Sequence, residues 1–239
     1  MPTFLITGTR RGIGCEYVRQ LSVSAENTIA AVVRNLDGDL GSLQAIIKSP
    51  ETKARILLLQ CDLSNPESIA ALPSQLPSGL RINTLIQNSG IFSESCRADT
   101  SLTVTAESMH DHFTTNAVGP LLLLQALVPV LAPGAVVANI SSGLASMALL
   151  SDGTISAQNP AYSVSKAAFN MLTVHLAKDL AGKAIVVSID PGHVKTEMGG
   201  PNAVMEIEHS AGSILRTLSG VKEADTGKFL QYNGTNEPW

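Results

Sequence analysis

The feature that most constrains this chain is its alternation. Seven short runs rich in Val, Ile and Leu lie at Thr3–Thr7, Thr28–Val33, Arg55–Gln60, Ile82–Gln87, Ala135–Ile140, Ala184–Ile189 and Lys228–Tyr232, with longer stretches of helical character between them. None shows the strict polar–apolar alternation of a strand with one wet face, so they read as strands buried on both faces. Helices are predicted at about 12–24, 39–48, 65–76, 101–114, 117–131, 160–182 and 203–219. Asn65-Pro66-Glu67 and Asn159-Pro160 each have the form of an N-cap followed by proline in the first turn. This rhythm predicts an α/β fold: a single-domain, Rossmann-type doubly wound parallel sheet of about seven strands with helices on both faces. No linker, repeat or low-complexity segment divides residues 1–239, so one domain is expected over the whole length.

Composition narrows the partners. Sixteen Lys+Arg against twenty Asp+Glu give a net charge of -4 with no basic block, which argues against a nucleic-acid partner. The most apolar stretch, Ala117 to Ile140, is broken by Gly119, Pro120, Gln125, Pro129, Pro133 and Gly134. A spanning helix needs about 20 consecutive apolar residues, so this stretch reads as buried core and no membrane partner is expected. The three cysteines, Cys15, Cys61 and Cys96, are odd in number, widely spaced and without a CxxC pair. They suit neither a disulfide framework nor a zinc knuckle. With no basic signal segment ahead of Thr3, a reducing, cytoplasmic location is expected.

Three joints carry candidate chemistry. The first strand runs into Thr7-Gly8-Thr9-Arg10-Arg11-Gly12-Ile13-Gly14 and then an amphipathic helix. Glycines at that joint allow a tight turn and close backbone approach to a pyrophosphate, whose charge sits at the helix N-terminus. The spacing is G-x3-G-x-G. Further on, Tyr162-Ser163-Val164-Ser165-Lys166 places a phenol and an ammonium four apart, on one face of a helix. A phenol titrates near 10, and a neighbouring ammonium favours its phenolate form. Finally, Asn139-Ile140-Ser141-Ser142-Gly143 closes the fifth strand at its C-terminal end, where open α/β sheets carry their ligand crevice. There is no G-x-S-x-G elbow, which argues against an α/β-hydrolase.

Together these segments resemble the short-chain dehydrogenase/reductase family. Matching features also occur at Asp62-Leu63, Gln87-Asn88-Ser89-Gly90, Asn116 before Gly119-Pro120, and Pro191-Gly192. The stretch Pro191 to Ala203 is similar to the C-factor/sniffer-type carbonyl reductase branch. The resemblance implies an NADPH-dependent carbonyl reductase with NADP(H) as cofactor and a small-molecule carbonyl substrate. It implies that Tyr162 delivers a proton to the carbonyl oxygen, that Lys166 binds the nicotinamide ribose and lowers the phenol's pKa, and that Ser142 holds the carbonyl. Asn116 would hold the water of a proton relay. Gly8, Gly12, Ile13 and Gly14 would line the pyrophosphate, Asp62 with Leu63 the adenine, Asn88 and Gly90 the adenosine ribose region, and Val194 with Thr196 the carboxamide. A homodimer or homotetramer is also implied, and Leu121–Leu124 would suit such an interface or the core equally.

The second strand ends in Arg34-Asn35, with no carboxylate before Asp37 to select the ribose 2′-OH of NAD. Arg11 matches the basic position of NADP-preferring family members, so Arg11 and Arg34 are the expected 2′-phosphate ligands. Three departures from the family pattern stand out. Gln87 and Ser89 replace the usual Asn and Ala, Ser142 and Tyr162 lie 20 positions apart, and His193 stands where the branch often carries a large aromatic residue. The long spacing leaves Ser141 as the alternative to Ser142. Residues 144–158 then read as a mobile wall over the substrate. The rival to an enzyme is a catalytically silent dinucleotide-sensing regulator on the same fold. His110-Asp111-His112 is not read as a metal site, because positions i and i+2 of a helix face apart. Cys15 is either a reactive thiol or a packing residue, and His193 either touches substrate or caps its loop.

Overall fold

The computed structural model describes residues 1–93, 97–156 and 158–239; Cys96 lies outside the described residues, as does Ala157 of the 144–158 segment. The apolar runs form β1 (Thr3–Thr7), β2 (Thr28–Val33), β3 (Arg55–Gln60), β4 (Ile82–Gln87), β5 (Leu131–Ile140), β6 (Ala184–Asp190) and β7 (Phe229–Gln231). They make one sheet in the order β3-β2-β1-β4-β5-β6-β7, with every pairing parallel. The order reverses between β1 and β4, which opens a crevice at their C-terminal ends. The extra length of β5 contains Pro133-Gly134, and the register against β4 shifts between Ile82 and Thr84. An irregularity of that kind lets a proline sit in a strand without a missing ladder bond.

Side chains alternate across each strand, so the sheet divides two cores. Leu5, Leu85 and Val137 face one way, and Ile6, Ile86 and Ala138 face the other. The first core is covered by α3 (Pro66–Ala71), α5 (Gly119–Leu127) and α7 (Pro160–Asp179), through Ile69, Leu123 and Leu176. The second is covered by α1 (Gly12–Ser22), α2 (Ser42–Lys48) and α8 (Ile207–Gly220), through Tyr17, Leu43 and Ile214. Burying a side chain of this size contributes roughly 1.5–3 kcal/mol. Leu123 and Leu124 are fully buried in the first core, whereas Leu121 and Leu122 pack only partly against it.

Helix ends differ from the sequence expectation where local chemistry intervenes. Asn65 does cap α3, accepting from the Glu67 and Ser68 N–H groups. Asn159 does not cap α7 with its side chain; it adopts the left-handed conformation, φ 59°, which Asn tolerates better than most residues. α4 (Ala106–Phe113) starts later than predicted because Thr105 is the cap, its hydroxyl accepting from the Ser108 N–H. A π turn over Thr114–Val118 then joins α4 to α5. The run from Ala106 to Val130 is long and apolar enough to cross a membrane by length and composition, and its Leu123, Leu124 and Leu127 lie in the core. The 144–158 segment is more ordered than a loop. Ser146 caps α6 (Met147–Ser151), and the Ala148 N–H donates to the Trp239 carbonyl at 2.9 Å. Trp239 stacks on Phe229 with ring centroids 5.4 Å apart.

Candidate active site

The glycine turn leaves β1 with Gly8 at φ +72°. A Cβ on Gly14 would lie 2.3 Å from the Gly8 carbonyl oxygen and 2.6 Å from Asn88 Nδ2, so only glycine fits there. Asn88 fixes the turn: its Nδ2 donates to the Thr7 carbonyl at 3.0 Å, while the Thr7 hydroxyl accepts from the Asn88 and Ser89 N–H groups. The side chain expected at the adenosine ribose region thus shapes the pyrophosphate cradle. Thr196 comes within 3.8 Å of where a Gly12 Cβ would stand, bringing the loop after β6 over the turn. Val194 is buried, and its carbonyl accepts from Thr196 N–H. The cradle, open at the N-terminus of α1, fits a dinucleotide pyrophosphate.

The adenine end is less committed. Asp62 Oδ1 accepts from both the N–H and the hydroxyl of Ser64. The Leu63 side chain belongs to the first core, which takes it away from the crevice. Arg34 is exposed at the end of β2. Arg11 is also exposed, but its guanidinium pairs with Glu197 of the loop after β6.

At the other end of the crevice, the reactive groups converge. Tyr162 and Lys166 share one face of α7, and both are almost wholly buried. Ser142 stands near enough to the phenol to pull its pKa down, and its hydroxyl accepts from the Leu144 N–H at 3.2 Å, which distinguishes it from Ser141, whose hydroxyl is buried without a partner among the described residues. Lys166 Nζ donates to the Ile140 carbonyl at 2.8 Å and lies 5.8 Å from the Tyr162 ring centroid. Asn116 sits in the π turn, fully buried. Its Oδ1 accepts from the Ile91 N–H at 2.8 Å, and its Nδ2 donates to the Ile91 carbonyl and to Ser165 Oγ, each at 3.0 Å. A Cβ on Gly90 would meet Asn116 Oδ1 at 3.1 Å and Lys166 Nζ at 3.4 Å, so Gly90 marks where these groups meet. Phe92 lies against Tyr162, ring centroids 4.8 Å apart, and the Arg97 guanidinium lies 4.6 Å from the Phe92 centroid.

Burial dominates the electrostatics. It pushes the Tyr162 phenol up to about 12; the Ser142 hydrogen bond pulls it down, and the charge of Asp190 raises it again. Burial also lowers Lys166 to about 8. Desolvation of the phenolate dominates, and Lys166 is not among the groups that move the phenol.

Several supporting roles were not read from the sequence. Gln87 donates to Asn139 Oδ1 at 3.0 Å, and Asn139 donates to Thr173 Oγ1 at 2.8 Å, tying β4, β5 and α7 together, while Gln87 Oε1 is buried without a partner among the described residues. His112 is fully buried, with Nδ1 bonded to the Ser108 carbonyl and Nε2 accepting from the Ser93 N–H. It anchors the loop after β4. His193 Nε2 bonds the Gly199 carbonyl at 2.8 Å, which is the loop-capping role. Cys15 is buried and its thiol is pushed up to about 11 by desolvation and then by Glu16, the state of an inert packing residue. Among the described residues no three His, Cys, Asp or Glu side chains gather as metal ligands.

The chain belongs to the short-chain dehydrogenase family, whose model matches residues 2–224. Among curated proteins it is 36% identical over 161 residues to the C-signal of Myxococcus xanthus, covering 66% of this chain and 93% of that protein. The NADPH-bound carbonyl reductase from chicken fatty liver superposes with a TM-score of 0.88 at 31% identity, covering 100% of this chain and 99% of the other. The carbonyl reductase Sniffer of Drosophila melanogaster gives 0.87 at 29% identity, with 100% of both chains covered.

Proposed function

We propose that this protein is an NADP(H)-dependent carbonyl reductase that converts a ketone or aldehyde to an alcohol, with Tyr162 as the proton donor. The observation that carries the reading is the buried Tyr162 phenol, beside Ser142 and sharing a helix face with Lys166, at the strand ends beside the glycine cradle. Gly8, Gly12 and Gly14 would hold the pyrophosphate of NADPH, which when bound would supply the hydride. A carbonyl oxygen placed between Ser142 and Tyr162 accepts two hydrogen bonds, which strengthen as charge develops on it. With its pKa at about 12, Tyr162 holds its proton at neutral pH and can deliver it to that oxygen. Lys166, held by Ile140, stands where a ribose hydroxyl and the phenol could both lean on its charge. Asn116, kept rigid by Ile91 and Ser165, faces the same point and suits a relay to solvent.

The substrate class within carbonyl compounds is left to the walls, Ile91, Phe92, residues 144–158 and the chain from Met198 onward. Neither nucleic acid nor membrane enters the reading, and the odd number and wide spacing of the cysteines favour a cytoplasmic location. A homodimer or homotetramer is supported by the exposed Phe113 and Val128 on the α4–α5 side. The deciding experiment is NADPH consumption across a panel of small ketones and aldehydes, repeated with Tyr162→Phe. The variant should bind NADPH like the parent and lose at least about a hundredfold in turnover. Turnover near the parent's would reject the donor assignment.

A further inference from the structure

We infer that Asp190, the last residue of β6, is a positioning residue whose carboxylate locks the Ser142 turn to the Pro191–Gly192 turn. The inference rests on the Tyr162 reading above. Asp190 Oδ1 accepts from the Gly143 N–H at 2.9 Å and from the Gly192 N–H at 3.2 Å. Gly143 directly follows the serine that stands beside the phenol, and Gly192 begins the loop that carries Val194 and Thr196 over the glycine cradle. One oxygen atom therefore fixes the carbonyl-holding hydroxyl and the cofactor-covering loop relative to each other. Such fixing matters because a misplacement of about 1 Å in a reacting pair is enough to cost roughly a hundredfold in rate.

The second consequence is electrostatic. The carboxylate faces Tyr162 closely enough for its charge to oppose ionisation of the phenol. The other groups around that phenol are Ser142 from the turn after β5, Lys166 from α7, and Phe92 with Arg97 over it from the loop after β4. Glu237, from the C-terminal tail, is buried with Oε2 unpartnered among the described residues, and it feels the charge of Asp190 in turn. The Glu237 N–H is held by the Phe229 carbonyl of β7, next to β6. Asp190 is thus the carboxylate that acts on the phenol, Glu237 acts on it only through Asp190, and Lys166 is the buried cation of α7. In this arrangement the Asp190 charge adds to the burial that already holds Tyr162 in its protonated, donating form.

An isosteric amide separates the two roles, because Asn retains the acceptor oxygen and loses the charge. In Asp190→Ala, kcat should fall about thirtyfold or more with a smaller change in the KM for NADPH. Asp190→Asn should recover at least about tenfold of that loss. Independently of turnover, the Tyr162 resonance in tyrosine labelled with 13C at Cζ should titrate about one pH unit lower in Asp190→Asn than in the parent, both saturated with NADP and assigned against Tyr162→Phe. Should the Ala variant fail to fold, Asp190→Leu supplies the same shape without an acceptor. Equal kcat in the Asn variant and the Ala or Leu variant would overturn the positioning role, and an unmoved Tyr162 midpoint would overturn the electrostatic one. If Tyr162→Phe keeps full turnover, the donor assignment falls, while the NMR midpoint still reports on the charge of Asp190.

Discussion

Gly14→Ala is the sharpest perturbation of the cofactor cradle. Ordinary contact begins near 3.4 Å, and the new Cβ would stand 2.3 Å from the Gly8 carbonyl oxygen, so that oxygen has to retreat by about 1 Å. It is backbone and cannot swing aside as a flexible side chain would. The second clash, 2.6 Å to Asn88 Nδ2, falls on the amide that holds the Thr7 carbonyl. Overpacking of about 1–3 kcal/mol, plus roughly 1 kcal/mol for a weakened hydrogen bond, gives a loss of about 2–4 kcal/mol. For a domain of this size that lowers Tm by roughly 5–15 °C. Loss of one or two charge-assisted bonds to the pyrophosphate should raise the Kd for NADPH on the order of ten- to a hundredfold. Gly79→Ala is the control: its φ is +77°, yet nothing lies within 4 Å of the added atom, so it carries only a backbone cost of roughly 1–2 kcal/mol. Calorimetry and fluorescence titration with NADPH would read both quantities. A folded Gly14→Ala protein that binds NADPH like the parent, with no larger Tm loss than Gly79→Ala, would refute the cradle argument.

Three further outcomes are expected. Ser142→Ala should reduce turnover far more than Ser141→Ala, and Ser141→Ala should be neutral or slightly stabilising because it removes a buried hydroxyl without a partner among the described residues; the reverse order in a steady-state assay would shift the register by one. Lys166 falls from its ordinary value near 10.5 to about 8 on folding, so between those pH values the unfolded chain holds the extra proton and stability rises with pH. Urea midpoints of the cofactor-free protein should show that rise, and Lys166→Met should flatten it. Arg34→Asp should weaken NADPH by about ten- to a hundredfold and narrow or reverse the preference over NADH, whereas Glu197→Gln, which frees Arg11 from its carboxylate partner, should move NADPH binding the other way; equal use of NADH and NADPH by the parent would contradict the phosphate role of both arginines.

The strands were legible because strands buried on both faces leave a continuous apolar trace, and β1 to β4 run between the expected residues. The helix ends were less so, since Thr105, Ser146 and the left-handed Asn159 act through geometry that composition does not carry. Tyr162, Lys166, Ser142 and Asn116 could be picked out by resemblance, and the fold brings them to one end of the crevice. Asp190 was overlooked although it directly precedes Pro191-Gly192. A lone carboxylate at a strand end reads as solvated until its backbone partners are known, one of them, Gly143, 47 positions away in the chain. The tail was equally hidden: a Trp239 carbonyl bonded to α6 depends on contact between residues about ninety positions apart.

The π turn at Thr114–Val118 has a consequence for how this helix tolerates change in length. A π turn is in effect one residue more than an α-helix needs. Deleting a residue there would let the winding become uniform with both flanks in register, whereas a deletion elsewhere in the helix rotates everything downstream by about 100° about its axis. Asn116 would then leave Ile91 and Ser165, or Leu123 and Leu127 would leave the core, because one rigid rod cannot keep both sets in place. The helix from Ala106 to Val130 should therefore accept many substitutions on its exposed face, and tolerate the loss of a residue in fold only within Thr114–Val118. In a library of insertions and deletions that window would be set by residue count, and it would mark the turn around Asn116 more sharply than a scan of point substitutions.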